Sequence, residues 1–151
     1  MNIKWKWLAL GYVWALPTTI IGLVLASAFW KAKSWRWRDG CLECVSENIW
    51  TDPAAITFGW LVVYDYKAPI ADGPNEESPY REKIASMLAA HERVHTLQCF
   101  VLGPLFLPVY GLLHLVGTIR AAVRGEPRKY WFYSAYQWNP MEAQAERVSG
   151  Y

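Results

Sequence analysis

Residues 7–30 and 96–119 carry no charged side chain when His114 is neutral, and these two blocks constrain the fold more than anything else in the chain. A helix rises about 1.5 Å per residue, so either block is long enough to cross a hydrocarbon layer of about 30 Å. With 54% hydrophobic residues, ten Trp and nine Tyr in 151 residues, the composition departs from that of an ordinary soluble domain. The expected class is therefore a mainly α-helical integral membrane protein. Residues 7–30 read as one N-terminal transmembrane helix, kinked at Pro17, with Trp5, Trp7, Trp30, Trp35 and Trp37 as aromatic anchors near its ends. A cleaved signal peptide is the rival: Lys4 and Lys6 make a basic start and Ala26-Ser27-Ala28 a cleavage site. The apolar run exceeds the usual 7–15 residues, which favours the anchor.

Lys31, Lys33, Arg36 and Arg38 follow the span, and no acid appears before Asp39. This excess over Lys4, Lys6 and the terminal amine places the main body on the cytoplasmic side. A net charge of +2 without a nucleic-acid motif sets DNA and RNA aside as partners. The lipid bilayer is the expected partner instead. Length and the absence of an internal period suggest two parts: an anchor with basic flanks over 1–38, and a single domain over 39–151 that includes the membrane-associated block 96–119.

Within that domain, 39–55 reads as an irregular connection with turn formers at Asp39-Gly40 and Asp52-Pro53. Residues 56–65, rich in β-branched and aromatic side chains, read as a strand. Three prolines and three acids make 68–79 an exposed loop. Ser78 is a helix cap and Pro79 a first-turn residue, with helix formers continuing through Gln98. The block 96–119 is punctuated by Gly103-Pro104, Pro108 and Gly111, which divide its first half into short pieces suited to a re-entrant or interfacial hairpin as well as to a straight helix. Arg120, Arg124, Arg128 and Lys129 follow, then an aromatic belt over 130–138, then a short terminal helix capped by Asn139 with Pro140 in its first position.

The chemistry is concentrated in 91–98, "HERVHTLQ". His91 and His95 stand four apart on a helix and so project from one face a turn apart, as two imidazole ligands of Zn²⁺ must. In an H-E-x-x-H motif the acid, here Glu92, takes a proton from the water that the metal activates and passes it to the leaving amine. Ile84, Leu88, His91 and His95 fall on one stripe, so a buried helix face satisfied by hydrogen bonds is the plainer alternative. The residues themselves leave the third ligand open between His114, a lone histidine in the apolar block, and an acid elsewhere.

On these residues the chain resembles the gluzincins, the zinc metallopeptidases with a downstream glutamate ligand. It is most similar to small and membrane-bound members such as the prenyl-protein endopeptidase and membrane heat-shock protease family. The later "EAQAE" is similar to that family's E-x-x-A-D pattern. The resemblance implies Glu142 as third zinc ligand and Glu146, in place of an aspartate, as the residue that orients a ligand histidine. Glu142 also stands where a capping-box glutamate would. The similarity spans 56–146, and only the two motifs are specific. It implies a zincin-like fold, peptide-bond hydrolysis, a peptide or protein substrate, and an edge strand within 56–65 along which an extended peptide adds. Gln98, one turn past His95, is a candidate supporting residue.

The resemblance carries a topological condition. If 96–119 crossed the bilayer completely, Glu142 would lie on the far side from the histidines, and 130–138 is too short to return it as a helix. A block that dips and returns satisfies the condition. The alternative function is a non-catalytic membrane structural or assembly protein, with zinc kept for stability or lost. Cys41-Leu42-Glu43-Cys44 has Cys99 as its only companion, too few for a four-cysteine zinc site; two reduced thiols or a local disulfide are the readings left. Tyr130, Tyr133 or Tyr136 is a candidate hydrogen-bond donor to a developing oxyanion.

Overall fold

The computed structural model describes residues 3–47, 49, 55–65 and 79–150, with side chains described from residue 9 onward and, after the gap, from 83. Ser78, most of the loop 68–79, and the side chains of Trp5 and Trp7 lie outside the described residues. The chain is mainly helical with one small sheet. Helices α1 (Ile3–Trp14) and α2 (Leu16–Ala28) come first, separated at Ala15. Pro17 is the cause: it has no N–H to offer the preceding turn, and its ring crowds the carbonyl four residues back. The expected kink therefore appears two residues upstream of the proline.

Strands β1 (Ser34–Arg38) and β2 (Cys41–Ser46) follow, then β3 (Ala55–Phe58) and β4 (Leu61–Asp65), in the order β1-β2-β4-β3. Two expectations are corrected here. The stretch from 39 is not wholly irregular, because β1 and β2 form a hairpin whose turn residues Asp39 and Gly40 both have positive φ, 49° and 83°. Such a turn matches the right-handed twist of the paired strands. The single strand expected over 56–65 is also two strands. Gly59, with φ 65°, turns the chain so that Phe58 faces Leu61 in an antiparallel pair. Of these two strands β3 lies at an edge of the sheet, as β1 does at the other, while β4 lies between β3 and a parallel β2.

Alternation sorts the sheet's side chains into two layers. Cys44, Phe58, Leu61 and Val63 pack with Ala26 and Trp30 near the end of α2. Cys41, Ala55, Val62 and Tyr64 pack with Leu88 of α3 (Pro79–Leu102). Cys41 and Cys44 therefore point to opposite faces of one strand. Both thiols are free and buried, as is Cys99, so the C-x-x-C forms neither a disulfide nor a shared metal site. On the α3 side, Arg36 Nε donates to Glu43 Oε2 at 2.6 Å across the β1–β2 pair, holding a buried carboxylate in place.

A 3₁₀ turn at Gly103–Leu105 joins α3 to α4 (Phe106–Val123). Within 96–119 the punctuation makes one break rather than several short pieces. Pro104 opens the 3₁₀ turn and Pro108 falls in the first turn of α4, positions whose N–H needs no helical partner, and the helix runs on through Gly111. Only Gly103 interrupts the chain, with φ 56°. Its surroundings demand glycine, since a Cβ there would lie 2.3 Å from the Trp14 indole nitrogen. The break in the second apolar segment sits against the break in the first: Thr18 Oγ1 donates to Gly103 O at 3.1 Å. Residues 124–130 then turn the chain, and α5 (Trp131–Trp138) packs on α4 so closely that a Cβ on Gly117 would come within 2.8 Å of Ala135 Cα. The last helix, α6 (Pro140–Ser149), packs on α3.

The run Lys83–Val123, taken through its 3₁₀ turn, is long and apolar enough to cross a membrane. Leu112, Leu115, Ile119 and Val123 on α4, and Val13 and Ile20 on α1 and α2, expose their apolar side chains.

Candidate metal centre

Position 91 lies midway along α3, so His91 and His95 share one buried face while their backbone groups are satisfied within the helix. Glu142 reaches them from α6. Asn139 starts that helix, accepting from Met141 N at 3.0 Å, and Pro140 takes its first position. The capping-box role open to Glu142 is not taken, because the Asn139 N–H already bonds the carbonyls of Ala135 and Tyr136. Its carboxylate turns to the histidines instead.

His91 Nε2 lies 3.1 Å from His95 Nε2 and 3.1 Å from Glu142 Oε2, and His95 Nε2 lies 3.4 Å from Glu142 Oε1. Donors at two corners of a tetrahedral zinc site, each about 2.0–2.1 Å from the ion, stand about 3.3–3.4 Å apart. The triangle is nearly the right size as it stands. Exposure is 4% for His91, 6% for His95 and 2% for Glu142, so the donors are shielded from competing water. Among the described residues this is the group of three or more potential ligands able to hold a metal ion. His114 is outside it: its ring stacks on Tyr110 at 6.3 Å and lies 4.5 Å from that of Phe132.

The proton on His95 follows from its neighbour. Gln98 Nε2 donates to Met141 O and to Gln144 Oε1, both at 3.0 Å, which turns its carbonyl oxygen toward His95 Nδ1 at 2.8 Å. An amide oxygen only accepts, so Nδ1 carries a hydrogen, and Nε2 is the nitrogen that faces the donor triangle, where it bonds Glu142 or, once deprotonated, would give its lone pair to a metal. Gln98 thus orients a candidate ligand. Glu146, expected in that role, is half-buried beyond Glu142, and no hydrogen bond among the described residues joins it to His91 or His95.

Burial by itself would raise the Glu142 carboxyl, but hydrogen bonds from His91, His95 and Tyr110 outweigh it and hold the group well below the usual carboxylate range. Tyr110 donates to Oε1 at 2.6 Å. Tyr136 also hydrogen-bonds this carboxylate, and burial with the nearby charge drives its phenol far up. Of the three tyrosines marked in the sequence, Tyr136 reaches the cluster, whereas Tyr130 and Tyr133 are exposed. Tyr110 had no separate signal in a run of apolar residues.

Glu92 follows His91 about 100° round α3 and reaches toward the sheet, still near the cluster. Thr57 Oγ1 on edge strand β3 donates to its Oε2 at 2.6 Å, and the residue is 4% exposed. Thr57 escaped the sequence reading, which saw only strand propensity there. The arrangement offers three donors, one fewer than a closed structural zinc site uses, with a carboxylate one residue from the first donor. Comparison with protein-family models, with curated proteins and with solved structures found no match to this chain.

Proposed function

We propose that this chain is a membrane-anchored, zinc-dependent peptidase in which His91, His95 and Glu142 bind the ion and Glu92 is the general base. The observation that carries the reading is the donor triangle, sized for a tetrahedral ion and leaving one corner for a reactant. Zinc, when bound, supplies Lewis acidity: it makes a water acidic enough to lose its proton near neutral pH and polarises the carbonyl under attack. The protein does the rest. Gln98 keeps His95 in the ligating tautomer, Thr57 holds the Glu92 carboxylate, and Tyr110 and Tyr136 place phenolic hydroxyls beside the cluster. Edge strand β3 offers main-chain groups to an extended peptide.

Closure favours the second reading, a non-catalytic protein that uses the cluster for stability. All four residues are 6% exposed or less, and the three donors satisfy one another through hydrogen bonds. Cleavage of a broad peptide library by detergent-purified protein separates the readings. The peptidase reading expects cleavage that stops on chelation and returns with zinc. Protein that holds one zinc per chain and cleaves nothing supports the structural reading, and protein that never takes up zinc sinks both.

The membrane reading takes the apolar α1–α2 pair as the crossing element and has the Lys83–Val123 run dip into the bilayer and return, which keeps the basic residues after each on the cytoplasmic side with the cluster. A thiol probe tests it against a quiet background: Cys41, Cys44 and Cys99 are buried, and burial pushes the Cys44 thiol up to about 12. Lys129→Cys, on the exposed turn before α5, should resist a membrane-impermeant maleimide in intact cells and react once they are permeabilised. Prompt labelling of intact cells would reverse the orientation.

A further inference from the structure

Where α4 ends against α5 there is a cavity of about 190 Å³, lined by Gly117, Arg120, Arg124, Glu126, Ser134 and Trp138 among others. We propose that it binds the headgroup of an anionic glycerophospholipid. The inference rests on the membrane reading and is independent of the peptidase one.

Charge comes first. Arg120 and Arg124 bring two guanidiniums to the cavity, and among the described residues neither is engaged in an ion pair. Arg120 lies over the Trp138 ring at 5.6 Å, a contact that fixes its plane while leaving its N–H groups for an acceptor. Glu126 contributes one negative charge, so the lining is net +1. Its carboxylate accepts from Ser134, and its backbone oxygen accepts from Trp131 Nε1 at 2.8 Å, which holds the acid at the wall. A phosphodiester of charge −1 balances that lining. A headgroup that also carries hydroxyls would donate to Glu126, which a choline headgroup cannot do.

Position comes second. The cavity opens at the first charged residues after the uncharged block 96–119. Farther round the same two helices, Leu115, Val116 and Ile119 on α4 and Phe132 on α5 expose apolar side chains, a surface suited to acyl chains. Arg128 over Trp131 at 5.5 Å and Lys129 over Tyr130 at 4.8 Å add positive charge and interfacial aromatics at the neighbouring turn. Size comes third. At a liquid volume of about 30 Å³ per water the space corresponds to roughly six waters, enough for a glycerophosphate group. Gly117 provides depth, since any side chain there would strike Ala135.

The test is native mass spectrometry of the full chain in neutral detergent, titrated with phosphatidylglycerol, phosphatidylcholine or inorganic phosphate. Wild type should retain one phosphatidylglycerol at least about 10-fold more tightly than phosphatidylcholine. Arg120→Gln and Arg124→Gln should each weaken this roughly 5-fold, and together roughly 25-fold, from the usual contribution of a basic residue at an anionic surface. Zinc content should not change. The single variants carry the test should the double variant lose its fold. Equal retention of both lipids, or undiminished retention by the folded variants, overturns the proposal; inorganic phosphate bound as tightly as the lipid makes the cavity a soluble-anion site and overturns the lipid assignment. Alkaline carbonate extraction separates the two layers. A chain released from membranes that still selects phosphatidylglycerol refutes the span and keeps the site, whereas a chain that resists extraction without selecting refutes the site alone.

Discussion

Glu92→Gln is expected to leave zinc at one per chain and to lower the peptidase rate by about 10²-fold or more, the usual contribution of a general acid–base group. Glu92 is outside the donor triangle, so the ion does not depend on it. Glutamine matches glutamate in shape, and its amide oxygen still accepts from Thr57, which keeps the side chain where the 2.6 Å hydrogen bond holds it. What disappears is the ability to take a proton from the attacking water and return it to the leaving amine. Wild type and variant, both purified in detergent and matched for zinc, would be compared on the same peptide library. Equal inertness with zinc fully bound would favour the structural reading; equal activity would assign the cleavage to a contaminant.

His91→Ala, His95→Ala and Glu142→Ala should each abolish stoichiometric zinc, whereas His114→Ala should retain it. Each of the first three removes one corner of the triangle and leaves two donors, too few for a tight zinc site in protein. His114 touches Tyr110 and Phe132 rather than the donors. Gln98→Ala belongs between these extremes: it removes the acceptor that orients His95 and should cost about 10–100-fold in metal affinity, as loss of such a partner typically does. Metal analysis after dialysis against a weak chelator, alongside circular dichroism, reads all five variants. Zinc lost from the His114 variant alone would show that the site is misassigned.

The parts of this molecule that depend on neighbouring residues were legible from the sequence. Four-residue spacing puts His91 and His95 on one helix face wherever α3 packs, Asn139-Pro140 starts α6 through its own side chain and ring, and two uncharged blocks become helices that leave apolar faces exposed. The hairpin β1–β2 was readable as well, from the alternation of Trp and Arg over 34–38 ahead of Asp39-Gly40, but the basic residues were taken for a membrane flank. Where the pattern was ambiguous the local reading failed: Gly59 broke one expected strand into two, and Pro108 opened a helix rather than ending one.

Only the tertiary structure decided which distant groups meet. Glu142 had two local uses open to it, cap or ligand, and the choice came from packing α6 on α3, which spans 51 residues of sequence. Thr57 with Glu92, and Tyr110 with Glu142, have no spacing rule because each joins elements whose separation is set by the packing of whole helices and strands. The two cysteines of Cys41-Leu42-Glu43-Cys44 are the converse case. Close in sequence, they are parted by the strand itself, whose alternation sends one toward α3 and the other toward α2, because side chains at an odd separation leave a pleated strand on opposite faces.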